Sequence, residues 1–161
     1  MIMLIVLLSF LMISSYCLLI FKWNNAWNNI PVSNDSEKLA TVMLSIIIPV
    51  RNEQANIVQV LNSLCNQNYP EHLFEIIISD DHSTDNTIKI AKDFFANQNN
   101  INGIIVETKT TDSSSKKEAI KRAIEIAKGE LIITTDADCV HDVQWLQTFA
   151  SYFILHQPVM I

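Results

Sequence analysis

The chain has 161 residues, 49% hydrophobic and 17% charged, and its 17 acidic against 11 basic side chains give a formal net charge of −6. That length holds one ordinary domain with a sizeable core rather than two. The acidic balance excludes a basic surface of the kind that tracks nucleic-acid phosphates, and the apolar content excludes a disordered chain.

Residues Met1 to Phe21 carry no charged side chain, and only Ser9, Ser14, Ser15 and Tyr16 interrupt the apolar run. About 20 such residues at ~1.5 Å rise span a hydrocarbon core of roughly 30 Å. No basic n-region precedes the run and no small-x-small cleavage site follows it before Trp23, so it reads as a transmembrane helix over 1–22 rather than a signal peptide. Lys22 and Lys38 follow it and nothing basic precedes it. The positive-inside rule then places the remainder in the cytoplasm, at the cell membrane, with Trp23 and Trp27 in the interfacial belt. Residues 23–43 include an Asn- and Ser-rich stretch with Pro31 and no sustained period, which reads as a linker.

From Leu44 the pattern alternates. Leu44–Val50 and Phe74–Ser79 are continuous apolar runs, as expected of strands buried on both faces. Gly103–Glu107 and Leu131–Thr135 are shorter strands. Helices are predicted over Gln54–Gln67, Thr87–Phe95, Lys116–Lys128 and Asp142 to about His156. The third of these opens with Ser115-x-x-Glu118, a capping-box pattern, and Gly129 stands where a left-handed C-cap belongs. Pro158–Ile161 reads as the start of a fifth strand. The alternation predicts an α/β fold, a mostly parallel sheet flanked by helices over 44–161. The closing apolar run, with no helix to cover it, suggests the front half of a larger domain. Cys17, Cys65 and Cys139 are too few and too scattered for a disulfide framework, and a reducing compartment suits them.

In open α/β sheets ligands bind beyond the carboxyl ends of the strands. Asp80-Asp81 follows the second strand, Asp136-Ala137-Asp138 the fourth, and Pro49-Val50-Arg51-Asn52-Glu53 closes the first. Paired carboxylates leaving a strand suit a hard divalent cation, Mg²⁺ or Mn²⁺, completed by water and substrate phosphates. Ser83, Thr84, Asp85 and Thr87 read as turn and N-cap groups. With only two glycines, neither G-x-G-x-x-G nor a P-loop is possible, so a backbone-cradled phosphate is not expected, whereas a diphosphate held through a metal needs no glycine loop. Asp138, Cys139 and His141 lack the further Cys/His pair that a zinc site would need.

Three motifs, Ser45–Glu53 (SIIIPVRNE), Ile76–Asp85 (IIISDDHSTD) and Ala127–Asp138 (AKGELIITTDAD), resemble in order those of family 2 glycosyltransferases with the GT-A fold. The resemblance covers 44–161. It implies a transferase that moves a sugar, with inversion, from a nucleotide diphosphate sugar, a UDP-sugar first among them, to a glycan or lipid-linked acceptor in envelope glycan synthesis. It places Pro49, Val50 and Glu53 beside the nucleoside and Asp81 on the nucleobase with Asp80 next to it. Asp136 falls near the ribose and diphosphate, and Asp138 on the metal with Asp136 as a second ligand. Lys116 or Lys117 falls near the donor, though Ser115 replaces the family's glycine there and His82 replaces the glycine of its DDGS turn. The general base is expected beyond Ile161, since residues 143–161 contain no acid and no Gln-x-x-Arg-Trp motif occurs. That implies a donor half-site without catalytic competence. Two other readings remain. Asp136–Val140 partly matches the haloacid-dehalogenase-type phosphatase motif with Asp136 as nucleophile, and Asp80-Asp81 could serve a non-enzymatic receiver or binding module.

Overall fold

A computed structural model describes residues 2–29, 41–98, 100–107 and 115–157. The chain divides into two units, Met1–Asn34 and Asp35–Ile161.

The described residues of the first unit form one helix, α1 (Ile2–Asn28), and its closing turn. At ~1.5 Å per residue it is about 40 Å long, enough to cross a membrane, and none of its residues is buried. Its serines do not break the apolar character. Ser9, Ser14 and Ser15 donate to the carbonyls of Ile5, Phe10 and Met12 within the helix, so their hydroxyls need no water. The helix runs past Phe21 through the stretch read as the start of a linker, carrying Trp23 and Trp27 on its last turns.

Among the described residues of the second unit the elements are β1 (Leu44–Val50), α2 (Ile57–Cys65), β2 (Phe74–Asp80), α3 (Thr87–Ala96), β3 (Asn102–Val106), α4 (Lys116–Ile126), β4 (Leu131–Thr134) and α5 (Trp145–His156), with a 3₁₀ turn at Glu71–Leu73. The strands form one parallel sheet in the order β3-β2-β1-β4. The two continuous apolar runs are its central strands. Side chains alternate across it: Ile46, Ile48, Ile76 and Ile78 join the large core with residues of α2, α3 and α5, while Ile47 and Ile77 meet Ala123 of α4 on the opposite face. Helices begin and end within three residues of the predicted bounds. The proposed strand at Pro158–Ile161 lies outside the described residues.

Gly129 departs from expectation. It has no left-handed backbone, and α4 ends instead with Ala127 in an extended conformation. What glycine provides there is closeness: a Cβ would stand 2.4 Å from the Ser45 nitrogen and 2.7 Å from the Leu44 carbonyl carbon. The Gly129 N–H donates to Ser45 Oγ at 2.8 Å, and that hydroxyl donates to Glu75 Oε1 at 2.6 Å. Glu75 is fully buried and also accepts the Lys128 N–H at 2.7 Å. This network pins the entry of β4 against β1 and β2, which sets where β4 delivers its far end.

Candidate functional site

The crevice opens because β4 leaves the sheet early. Its ladder on β1 spans only Leu44–Ile47, closing with Thr135 N–H donating to the Ile47 carbonyl at 3.0 Å. Alternation along a parallel strand then turns the nitrogen of Pro49 toward the side β4 has vacated, where no ladder partner is lost to the missing N–H. On the other flank β1 stays paired with β2 through Val50, and the Val50 carbonyl accepts the Asp81 N–H at 2.8 Å. A hollow of about 290 Å³ results, lined by Pro49, Val50, Arg51, Glu53, Asp81, Lys116, Asp136, Ala137 and Asp138. A neighbouring hollow of about 350 Å³ shares Pro49, Lys116 and Asp136 with it. Side chains from the ends of β1, β2 and β4 and from the start of α4 therefore meet in one place.

Two loops are latched to hold that geometry. Asn52, at φ 58, accepts the Thr84 N–H on its Oδ1 at 2.8 Å, and its own N–H donates to Ser83 Oγ at 3.0 Å. The Glu53 N–H donates to Thr87 Oγ1 at 2.8 Å and the Gln54 N–H to Asp85 Oδ2 at 3.2 Å. Ser83, Thr84, Asp85 and Thr87 are thus turn groups, as their sequence suggested. Burial opposes ionisation of Asp85, but donors from the Thr87 hydroxyl, the Thr87 N–H and the Gln54 N–H outweigh it and hold the carboxyl below its ordinary value.

Of the sequence-predicted residues, seven line the hollow: Pro49, Val50, Glu53, Asp81, Lys116, Asp136 and Asp138. Asp80 does not line it; its carboxylate accepts the Ser83 N–H at 3.1 Å and so shapes the turn beside Asp81. Lys116 rather than Lys117 faces the hollow. The N-cap Ser115 accepts the Glu118 N–H at 3.2 Å, and that start to α4 lets Lys116 Nζ reach Asp136 Oδ1 at 2.5 Å. Arg51 and Ala137 join the lining although sequence reasoning gave them no role. A lone cation among five acids at the strand ends was the available signal for Arg51. Its guanidinium stands 3.6 Å from Asp81 Oδ2. Behind the β4 loop, Gln67 donates to the Asp142 carbonyl at 2.7 Å and accepts the Leu146 N–H at 2.9 Å. His141 stacks on Trp145 with ring centroids 3.8 Å apart and its Nε2 meets Thr135 Oγ1 at 2.9 Å. Burial there lowers the imidazole pKa.

Charges in the hollow are unbalanced: four carboxylates face two cations. Among the described residues no group of three or more His, Cys, Asp or Glu side chains could hold a metal alone. His141 Nε2 is engaged by Thr135, and the Cys139 thiol lies 3.7 Å from Asp138 Oδ1.

The family model described as glycosyl transferase family 2 matches residues 45–161. Glycosyltransferase AglE of Haloferax volcanii is 34% identical over 67% of this chain and 34% of its own length. The crystal structure of Staphylococcus aureus TarS 1-349 in complex with UDP-GlcNAc superposes at TM-score 0.64 and 29% identity, covering 71% of this chain and 32% of that one. The mannosyltransferase PcManGT from Pyrobaculum calidifontis, in complex with GDP-Man and Mn²⁺, superposes at TM-score 0.71 and 25% identity over 84% of this chain and 39% of its own. The chain spans about a third of the length of each of these relatives. Matched motifs, parallel sheet and strand-end crevice agree: this chain belongs to glycosyl transferase family 2.

Proposed function

We propose that the hollow binds the donor of a sugar transfer, a nucleotide diphosphate sugar with UDP as the nucleotide, and that Asp138 and Asp136 hold a divalent cation, Mg²⁺ or Mn²⁺, against its diphosphate. One observation carries this reading: carboxylates delivered by β2 and by β4 line the same cavity. The charge balance supports the cation. A diphosphate brought against four carboxylates, with only Arg51 and Lys116 to offset them, would be repelled. Two oxygen-bearing side chains suit Mg²⁺ or Mn²⁺, which commonly take one or two carboxylates and complete their shell with phosphate and water. Bound there, such an ion would supply positive charge to the diphosphate as the bond from its oxygen to the anomeric carbon breaks.

The chain's own residues divide the remaining work. Pro49 and Val50 offer an apolar wall for a flat ring, and Asp81 offers an acceptor for a ring N–H. Lys116 can turn from Asp136 to a phosphate oxygen, since both partners are more than half exposed. Transfer with inversion then forms a bond between the acceptor oxygen and the anomeric carbon as the bond to the diphosphate oxygen breaks. The bonding pair leaves with the diphosphate, and the acceptor hydroxyl gives its proton to a base. None of the residues around the hollow is assigned that last task. We read α1 as a membrane anchor with the donor-binding unit on the cytoplasmic side, where soluble donors meet lipid-linked or glycan acceptors. Relatives named poly(ribitol-phosphate) beta-glucosyltransferase and poly(ribitol-phosphate) beta-N-acetylglucosaminyltransferase support a polymeric acceptor, which we take to belong to the cell envelope.

Electron paramagnetic resonance of Mn²⁺ tests the cation's place. The free-ion signal should fall when the chain and UDP are both present, and it should persist with Asp138→Ala. An equal fall with the variant would remove Asp138 from the metal site.

A further inference from the structure

The surroundings of Asp81 point to a residue that sets which base the hollow accepts. This inference rests on the donor-site reading above. In the order β3-β2-β1-β4, the ends of β2 and β4 flank β1, so Asp81 and the Asp136–Asp138 loop lie about two strand spacings, roughly 10 Å, apart. If the phosphates sit at the β4 end, the base falls at the β2 end against Asp81, Pro49 and Val50.

At that end residue 82 is a histidine with φ 60, a left-handed backbone that an L side chain adopts at a cost glycine avoids. Its imidazole Nδ1 lies 3.3 Å from Asp81 Oδ1. Beside a carboxylate only the nitrogen bearing hydrogen is attractive, so Nδ1 is assigned as the donor. The other oxygen, Oδ2, faces the Arg51 guanidinium at 3.6 Å. The two partners differ in reach. Arg51 is 58% exposed and lines the hollow, while His82 does not line it and acts through Asp81.

A ligand in the hollow therefore meets one carboxylate oxygen next to a guanidinium donor, with the second oxygen turned to the imidazole. Uracil presents a single ring N–H flanked by two carbonyl acceptors. Guanine presents two adjacent donors, the ring N–H and the amino group, which call for both oxygens of one carboxylate. Adenine and cytosine have no ring N–H to give Asp81 and offer it only an exocyclic amino group beside a ring acceptor. We propose that His82 is a positioning residue for base choice: by holding Asp81 Oδ1 it favours uracil over guanine.

Calorimetric titration of the full chain with UDP and with GDP, both with Mn²⁺, tests this. The wild type should bind UDP at least about tenfold more tightly than GDP, the scale of one hydrogen bond to a charged group. His82→Gly should bring the two affinities to within about threefold, with Tm unchanged or raised because the left-handed strain is relieved. His82→Asn tolerates the same backbone and keeps a donor near Asp81, so it should restore most of the preference. An unchanged UDP-to-GDP ratio in His82→Gly overturns the proposal. Equal binding of UDP and GDP by the wild type overturns it too, while leaving the donor site standing. Binding of neither nucleotide removes the donor-site reading and this inference together.

Discussion

Gly129→Ala tests whether the sheet positions the site. The added Cβ would stand 2.4 Å from the Ser45 nitrogen, 2.7 Å from the Leu44 carbonyl carbon and 2.8 Å from Ser45 Oγ. Carbon contacts relax near ~3.5–4.0 Å, so the start of β4 has to retreat from β1 by roughly 1 Å. Two of the opposing atoms are backbone, which cannot turn aside. Overpacking of this kind costs about 1–3 kcal/mol, and stretching the Gly129 N–H bond to Ser45 Oγ adds about 1 kcal/mol, so a loss of about 3 kcal/mol is expected. With a urea slope near ~1.5 kcal/mol per molar, the unfolding midpoint should fall by about 2 M. Because Glu130 and Leu131 donate to the Met43 carbonyl at the same place, the displacement should also reach Asp136 and Asp138 and weaken UDP binding. Gly129→Asn separates this account from a helix-cap role. A left-handed cap accepts Asn, whereas a close approach rejects it at least as strongly as Ala. A midpoint shift below about 0.3 M for Ala, or recovery with Asn, would refute the reasoning.

Lys116→Ala should change stability by less than about 0.5 kcal/mol, because its ion pair with Asp136 is more than half exposed on both sides. UDP affinity in the same variant, measured by calorimetry, should nevertheless fall several-fold. His141 yields a pH prediction. Burial lowers its pKa in the folded chain, so the unfolded chain takes up the proton first. The associated stability is fully present above the ordinary imidazole value of about 6.5 and is lost as pH falls through the lower folded value. Urea midpoints of the wild type should therefore decline on acidification below about pH 6.5. In His141→Gln that slope should be shallower.

Much of this architecture was legible because it is written in runs and periods. Ile46–Ile48 and Ile76–Ile78 are unbroken apolar triplets within short β-branched runs, which suit a strand covered on both faces. Ala119 and Ala123 mark the stripe by which α4 sits on the sheet. The strand-end acids could be placed because a parallel sheet puts all its carboxyl ends on one edge. What stayed hidden depends on partners distant in sequence. The latch between Asn52 and Thr84 joins residues 32 apart, and that between Gln67 and Asp142 joins residues 75 apart; neither leaves a local pattern. Gly129 was misread for a related reason. A glycine after a helix fits a left-handed cap by position alone, and the approach of Ser45 that requires it comes from another strand. Asp80 and Asp81 are neighbours of one type, yet alternation along the strand end sends one to the Ser83 turn and the other to the hollow. The linker assignment failed at its start because Asn24–Asn28 continues the helix despite its polar side chains.

One comparison bears most directly on the convergence of β2 and β4 at a single ligand: calorimetric UDP affinity of wild type, Asp81→Ala and Asp138→Ala, each with Mn²⁺ and with chelator. Both substitutions should weaken UDP binding at least about tenfold with Mn²⁺, each removing a charge-assisted contact. Only Asp138→Ala should erase the difference between Mn²⁺ and chelator. UDP affinity unchanged by either substitution would mean that the two strand ends do not serve one nucleotide, and the donor site would have to be abandoned.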